Sequence, residues 1–223
     1  MFRLTQRQFV VIGLGRFGTS VAQTLYSLGN DVLAIDSDED RVQNISDSVT
    51  QAIQADATDE NSLRSIGVRN FDVAVVTIGS DLQASVMATL LVKELGVRYT
   101  IAKANSELHA KVLYKIGADK VVLPERDMGV RVAHNLVSTN ILDYIELSSD
   151  FSIAEVIAPQ EWYGKNLENL SIRANYGINI VAIKKKEEIN VSPTAGDVIE
   201  EGDIIVAIGG TEELNKLETL VSK

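Results

Sequence analysis

The sequence contains no cysteine in 223 residues. Disulfides, thiolate metal sites and a cysteine nucleophile are therefore excluded. Such a chain is compatible with a reducing compartment. Long apolar runs are also missing. None approaches the ~18 residues that a membrane-spanning helix requires, so any tie to a membrane must go through a partner. The opening "MFRLTQRQFVVIGLG" has too short an apolar run for a secretory signal and leads straight into a glycine turn. A basic excess is absent too: 21 Lys and Arg face 31 Asp and Glu, a formal net charge of −10. That argues against a general nucleic-acid binder, which needs a basic face to neutralise phosphates. Low-complexity segments and internal repeats are not evident. No G-x-S-x-G, H-E-x-x-H or G-x-x-x-x-G-K-[ST] motif occurs.

What is present is a core-forming composition, 45% hydrophobic, in a length that suits one large domain or two modest ones. Six short apolar segments read as strands: Phe9–Ile12, Asp31–Ile35, Gln51–Gln54, Val73–Thr77, Tyr99–Ala102 and Lys120–Val122. Most are rich in β-branched residues and nearly continuous in apolar character, as in strands buried on both faces. Helical patterns separate them. "TSVAQTLYSLG" aligns Val21, Ala22, Leu25 and Leu28, with Gly29 suited to a C-terminal cap. Ser106 can cap the helix "ELHAKVLYKIG", without a capping box. The pattern predicts an α/β fold, a Rossmann-like doubly wound parallel sheet.

After the sixth strand, "PERDMGVRVAHNLVSTNILDYIEL" reads as one long helical pattern. Met128, Val132, Leu136 and Val137 form a stripe that Ile141, Leu142 and Ile145 extend. Such a helix either packs on another subunit or folds back as a linker. From about Asp150 the pattern changes to alternating strands with a short helical stretch and a closing helix, a small α+β subdomain. The division expected is 1–144 and 145–223. The first part carries 14 basic and 17 acidic residues, the second 7 and 14, so acidity concentrates in the second.

The stretch "VVIGLGRFGTSVAQTL" joins a strand to a helix through Gly13, Gly15 and Gly18. Gly13 permits the tight turn, Gly15 lets the backbone approach a phosphate, and Gly18 lets helix and strand pack closely. The helix N-terminus then offers free N–H groups and partial positive charge. Asp36, ending the second strand, can accept hydrogen bonds from ribose hydroxyls and would repel a 2′-phosphate. Arg16, inside the turn, either clamps a phosphate chain or is a solvated arginine. Asp56 either faces adenine or ribose or caps the helix that begins near Asp59. Lys103 and Glu125 emerge at the carboxyl edge of the sheet, where ligands of such sheets lie. Glu125 is either an acid stabilised by a helix dipole or a ligand for a divalent ion. The two histidines, His109 and His134, sit in helical patterns and read as surface or interface residues. No catalytic set is evident, so the chain is not expected to be an enzyme.

These segments, with "GRFG", "DAT" at Asp56–Thr58, "LPE" at Leu123–Glu125 and "SPTAGDVIEEGDIIVAIG", resemble the RCK domain, the regulator of potassium conductance. The likeness spans the whole chain and is strongest to cytosolic regulatory subunits of Ktr-type bacterial potassium transporters. It implies a sensor of ATP and ADP that forms homo-oligomeric rings, octamers among them. The ring would lie on the cytoplasmic face of an integral membrane potassium-translocating subunit. It also implies phosphate contacts at Gly13, Arg16, Phe17 and Gly18, ribose at Asp36, and adenine at Asp56 and Ala57. Lys103 adds further contacts, and Glu125 holds a cation, Mg²⁺ or Ca²⁺, at the terminal phosphate. Ser37, Arg41, Ile78 and Gly79 complete the candidate site. Cyclic di-AMP is implied for the C-terminal subdomain, at Ile172, Arg173, Asn175 and Tyr176. The alternative is an NAD(H)-dependent oxidoreductase or NAD redox sensor.

Overall fold

A computed structural model describes residues 7–137, 141–148, 150–186 and 188–221. They fall into two compact units divided between Glu125 and Arg126. The first holds strands β1 (Gln8–Ile12), β2 (Asp31–Asp36), β3 (Gln51–Gln54), β4 (Val73–Val76), β5 (Tyr99–Lys103) and β6 (Lys120–Val122). They form one parallel sheet in the order β3-β2-β1-β4-β5-β6. The order reverses between β2-β1 and β1-β4, so the carboxyl ends of β1 and β4 open a crevice there.

Helices cover both faces, and strand alternation divides the core accordingly. Val10, Ile12, Leu33 and Ile35 pack with α3 (Glu60–Ile66), α4 (Leu82–Glu94) and α5 (Glu107–Lys115). Val11, Val32 and Ala34 pack with α1 (Arg16–Ser27) and α2 (Glu39–Ile45). Leu28 does not join the α1 face. It is the C-terminal cap residue and is exposed, and the chain turns at Gly29 with φ +82°. Ser106 does cap α5, accepting from the His109 N–H. His109 itself is buried rather than a surface residue; the side chain of His134 lies outside the described residues.

The helical pattern after β6 stops early. Helix α6 spans Pro124–Val137, and Ile141–Glu146 is a strand, β7. Ile141, Leu142 and Ile145 therefore do not extend the helix stripe. Within β7, Leu142 and Ile145 are exposed and Tyr144 is buried, and the pairing register shifts between Ile141 and Asp143. Pairing with β8 (Phe151–Ile157) satisfies this backbone in an antiparallel ladder. The Tyr144 hydroxyl is buried against Ser152 Oγ at 2.5 Å.

The second unit adds α7 (Leu167–Leu170), α8 (Ile172–Tyr176), β9 (Asn179–Lys184), β10 (Ile189–Asn190), β11 (Ile204–Gly210) and α9 (Thr211–Val221). Its sheet runs β10-β9-β11-β8-β7, antiparallel throughout. One face, including Ala154, Val156, Ile183, Ile205 and Ala207, packs with Trp162, Leu170, Ile172, Leu214 and Leu217. No helix of the described residues is long and apolar enough to cross a membrane.

Candidate functional site

The glycine turn shows three different physical needs. Gly13 has φ +97°, a region costly to residues bearing a β-carbon. A β-carbon on Gly18 would lie 1.9 Å from the Gly13 carbonyl oxygen and 2.4 Å from Thr77 Oγ1. Only glycine allows α1 to sit that close to β1 and β4. Gly15 has ordinary extended dihedrals and nothing within 4 Å of its would-be β-carbon. Its freedom serves no internal packing, and the space beside it is open. Gly15 is also the N-cap of α1, and no side chain caps the helix. The first turn holds no acidic residue. Its N–H groups and dipole are thus left facing open space, the arrangement that receives an anion. Arg16 is the first helical residue and is exposed, and Phe17 is half-buried.

Asp36 ends β2 beneath this turn and is 8% exposed. Its Oδ2 accepts the Leu14 N–H at 2.6 Å and its Oδ1 accepts the Asp38 N–H at 2.9 Å. The Arg41 guanidinium lies 3.4 Å from Oδ2 and 3.4 Å from Asp38. A buried carboxylate so held is fixed in direction. Ser37 is exposed beside it. Asp56 does not cap α3: Asp59 does, accepting from the N–H groups of Asn61 and Ser62. Asp56 Oδ1 instead accepts from the N–H and hydroxyl of Thr58 at 2.8 and 2.7 Å. That fixes an exposed carboxylate at the end of β3, with Ala57 buried behind it.

The ends of β4, β5 and β6 meet at the other side of the turn. Lys103 Nζ donates to Glu125 Oε1 at 2.5 Å. The lysine is 11% exposed and the glutamate 69%. That bond holds the Glu125 carboxyl below its usual range against a desolvation effect, and Arg16 adds a smaller pull. Lys103 and Glu125 therefore form one pair beside the glycine turn, with Arg16 within electrostatic reach of the glutamate. A methyl group on Gly79 would stand 3.3 Å from Lys103 Nζ, which puts Gly79 there too, with Ile78 half-buried beside Gly13.

Two residues here escaped sequence reasoning. The Thr77 hydroxyl donates to the carbonyls of Gly13 (2.5 Å) and Ile12 (3.1 Å), locking β4 to the turn. The Asn105 side-chain amide donates to the Gly79 carbonyl. The usable signal was a polar residue at or just past the carboxyl end of a parallel strand.

In the second unit, a cleft of about 380 Å³ is lined by Leu167, Glu168, Ser171, Ile172, Arg173, Ala174, Ile178, Asn179 and Ile180. Arg173 is exposed. Asn175 Nδ2 donates to the Leu170 carbonyl at 2.9 Å. The Tyr176 hydroxyl accepts from Trp162 Nε1 at 3.2 Å, and their rings sit 5.2 Å apart. Neither Asn175 nor Tyr176 lines the cleft. Among the described residues no cluster of three or more His, Asp or Glu could bind a metal unaided.

Comparison with known proteins agrees with this architecture. The TrkA-N domain model matches residues 9–124 and the TrkA-C domain model residues 152–222. The chain is 48% identical to Ktr system potassium uptake protein C of Bacillus subtilis (strain 168), over 97% of this chain and 98% of the relative. It is 44% identical to Ktr system potassium uptake protein A of the same organism, over 98% of each. Among solved structures, the GsuK RCK domain aligns with 100% of the chain at a TM-score of 0.68 and 19% identity. The alignment spans 49% of that solved chain, and the likeness establishes the fold. The chain thus belongs to the family of TrkA-N and TrkA-C domain proteins, alongside the Ktr potassium uptake proteins.

Proposed function

We propose that the chain is a nucleotide-sensing regulatory subunit of a membrane potassium uptake system, activated by ATP relative to ADP. The observation that carries this is the uncapped, acid-free start of α1 at Gly15, with Arg16, Lys103 and Glu125 gathered beside it. An anionic phosphate chain laid on those N–H groups would end among two cations and one carboxylate. ADP and ATP differ there by one phosphoryl group. A ligand can shift a conformational equilibrium only through such a difference. Asp36 and Ser37 would hold ribose; Arg41, Asp56 and Ala57 would line the adenine side; Phe17, Ile78 and Gly79 would flank the phosphates.

A divalent cation fits this site in one way. Glu125 supplies one carboxylate, and Mg²⁺ or Ca²⁺ would complete its shell with phosphate oxygens and water. The ion would neutralise charge at the terminal phosphate. Glu125 would then exchange its bond to Lys103 for the cation, freeing the ammonium for phosphate.

The site suits a sensor better than a catalyst. The buried Asp36 carboxylate is committed to orienting backbone, and the Lys103–Glu125 pair is placed to meet the end of a phosphate chain. NAD(H) is the second reading, favoured by the buried Asp36; a GsuK structure of the same fold is described as bound to NAD and another as bound to ADP. The division of labour follows residues 1–144 for the nucleotide and 145–223 for a second ligand. Cyclic di-AMP would use the cleft at Ile172 and Arg173, with Asn175 and Tyr176 stiffening its wall. The assembly proposed is a homo-oligomeric ring, an octamer, docked on the cytoplasmic face of an integral membrane potassium-translocating partner. Calorimetry with ATP, ADP and NADH tests the nucleotide reading. ATP and ADP should both bind, and NADH should not be turned over. Binding of NADH alone would favour the redox sensor.

A further inference from the structure

The segment Thr77–Ile78–Gly79 lies between the glycine turn and the Lys103–Glu125 pair. Its near end is fastened by the Thr77 hydroxyl to the Gly13 and Ile12 carbonyls. At its far end Gly79 carries no side chain, and its carbonyl accepts from the Asn105 side-chain amide. A β-carbon on Gly79 would sit 3.3 Å from Lys103 Nζ and 3.5 Å from Asn105 Oδ1. Both groups thus border the same backbone atom. Asn105 is itself anchored: its N–H donates to His109 Nδ1 at 3.3 Å. The bond requires a neutral imidazole with its proton on Nε2. His109 is 4% exposed, and burial lowers its pKa, which keeps Nδ1 an acceptor. His109 Nε2 has no partner among the described residues. An exposed asparagine is therefore held at its backbone by a buried group and at its side chain by a loop carbonyl.

We propose that Asn105 is a positioning residue for the terminal phosphate: through the Gly79 carbonyl it holds the 77–79 segment so that Lys103 meets the end of the phosphate chain. This rests on the nucleotide reading above. Without the anchor, Gly79 and the Lys103 ammonium lose their common reference. The part of the site around Gly15 and Asp36 is untouched, because Thr77 still holds the near end. The loss falls on the nucleotide that reaches furthest, so ATP suffers and ADP does not.

The test is calorimetric titration of ATP and of ADP into the full-length parent, Asn105→Ala and Asn105→Gln. The glutamine variant keeps an amide donor at an exposed position. One lost hydrogen bond corresponds to about a fivefold change. The expected result is an ATP-to-ADP affinity ratio reduced about fivefold in Asn105→Ala, with ADP affinity unchanged, and a ratio mostly restored in Asn105→Gln. A parental ratio in the alanine variant, equal loss for both nucleotides, or a glutamine variant no better than alanine would overturn the assignment while the nucleotide reading stood. A parent that bound neither nucleotide would remove the reading itself and the proposal with it.

Discussion

Gly18→Ala and Gly15→Ala differ by three positions and should behave in opposite ways. At Gly18 the new β-carbon would stand 1.9 Å from the Gly13 oxygen, 3.1 Å from the Gly13 carbon and 2.4 Å from Thr77 Oγ1. Two of those atoms are backbone, so no rotamer change relieves the contact. Helix α1 must back away from β1, opening space around the fully buried Ala22, or the Thr77 hydroxyl must release its two carbonyls. Overpacking of this kind costs ~1–3 kcal/mol, and a broken buried hydrogen bond adds ~1–3 kcal/mol. The sum, about 2–6 kcal/mol, is a large part of the stability of an ordinary domain. Gly15→Ala meets nothing within 4 Å, and its φ of −68° and ψ of 179° suit alanine. It should leave stability unchanged or raise it by ~0.4–1 kcal/mol through the unfolded chain. Yet it puts a methyl group where the phosphate would approach. Urea unfolding followed by circular dichroism, with ATP titrations on both variants, reads the two effects. A parental unfolding midpoint for Gly18→Ala would refute the packing argument. Parental ATP affinity for Gly15→Ala would refute the claim that the open space is a phosphate path.

Arg16→Ala should weaken ATP more than ADP, by ~1.5–3 kcal/mol for a lost charge-assisted contact, measured by calorimetry; equal losses would take Arg16 away from the terminal phosphate. Glu125→Gln should abolish any strengthening of ATP binding by Mg²⁺, and a parental response to the metal would leave Glu125 as an acid at a helix start. The same variant has a pH signature. Lys103 lowers the Glu125 carboxyl below its ordinary 4.5, so the bond stabilises the fold above that range and is lost as pH falls through the lowered value. Thermal melting of parent and Glu125→Gln should differ slightly at neutral pH, by ~1 kcal/mol or less for so exposed a carboxylate. The two should converge in acid, and a gap that widened there would contradict the assignment.

The parallel sheet was legible because β1, β2 and β4 are almost wholly apolar and helical patterns separate the strands. All six strands fall within a residue of the expected spans at either end. The glycine turn was legible because its spacing has a steric cause. Beyond β6 the reading failed for a physical reason. Val137, Ile141, Leu142 and Ile145 satisfy a 3.6-residue period, so the sequence pattern continues the helix; pairing with the partner strand β8 makes Ile141–Glu146 a strand instead. His109 was misjudged because a polar residue on an amphipathic helix gives no sign that its turn faces inward. Asn105 follows a strand in an unremarkable loop, and its role depends on a carbonyl 26 residues earlier in the chain. Asp36 was found by its place at the end of β2, but its bond to the Leu14 N–H becomes visible only once the turn is folded.

The central claim is that phosphate occupancy beside Arg16, Lys103 and Glu125 controls potassium movement through a membrane partner. The direct measurement is potassium flux into vesicles carrying the membrane subunit of a Ktr-type system, with and without this chain, in ATP and in ADP. Flux should rise when the chain is added with ATP, fall when ADP replaces it, and ignore both nucleotides when the chain is absent. Flux indifferent to the chain and to the nucleotide would contradict the account and return the NAD redox sensor to first place.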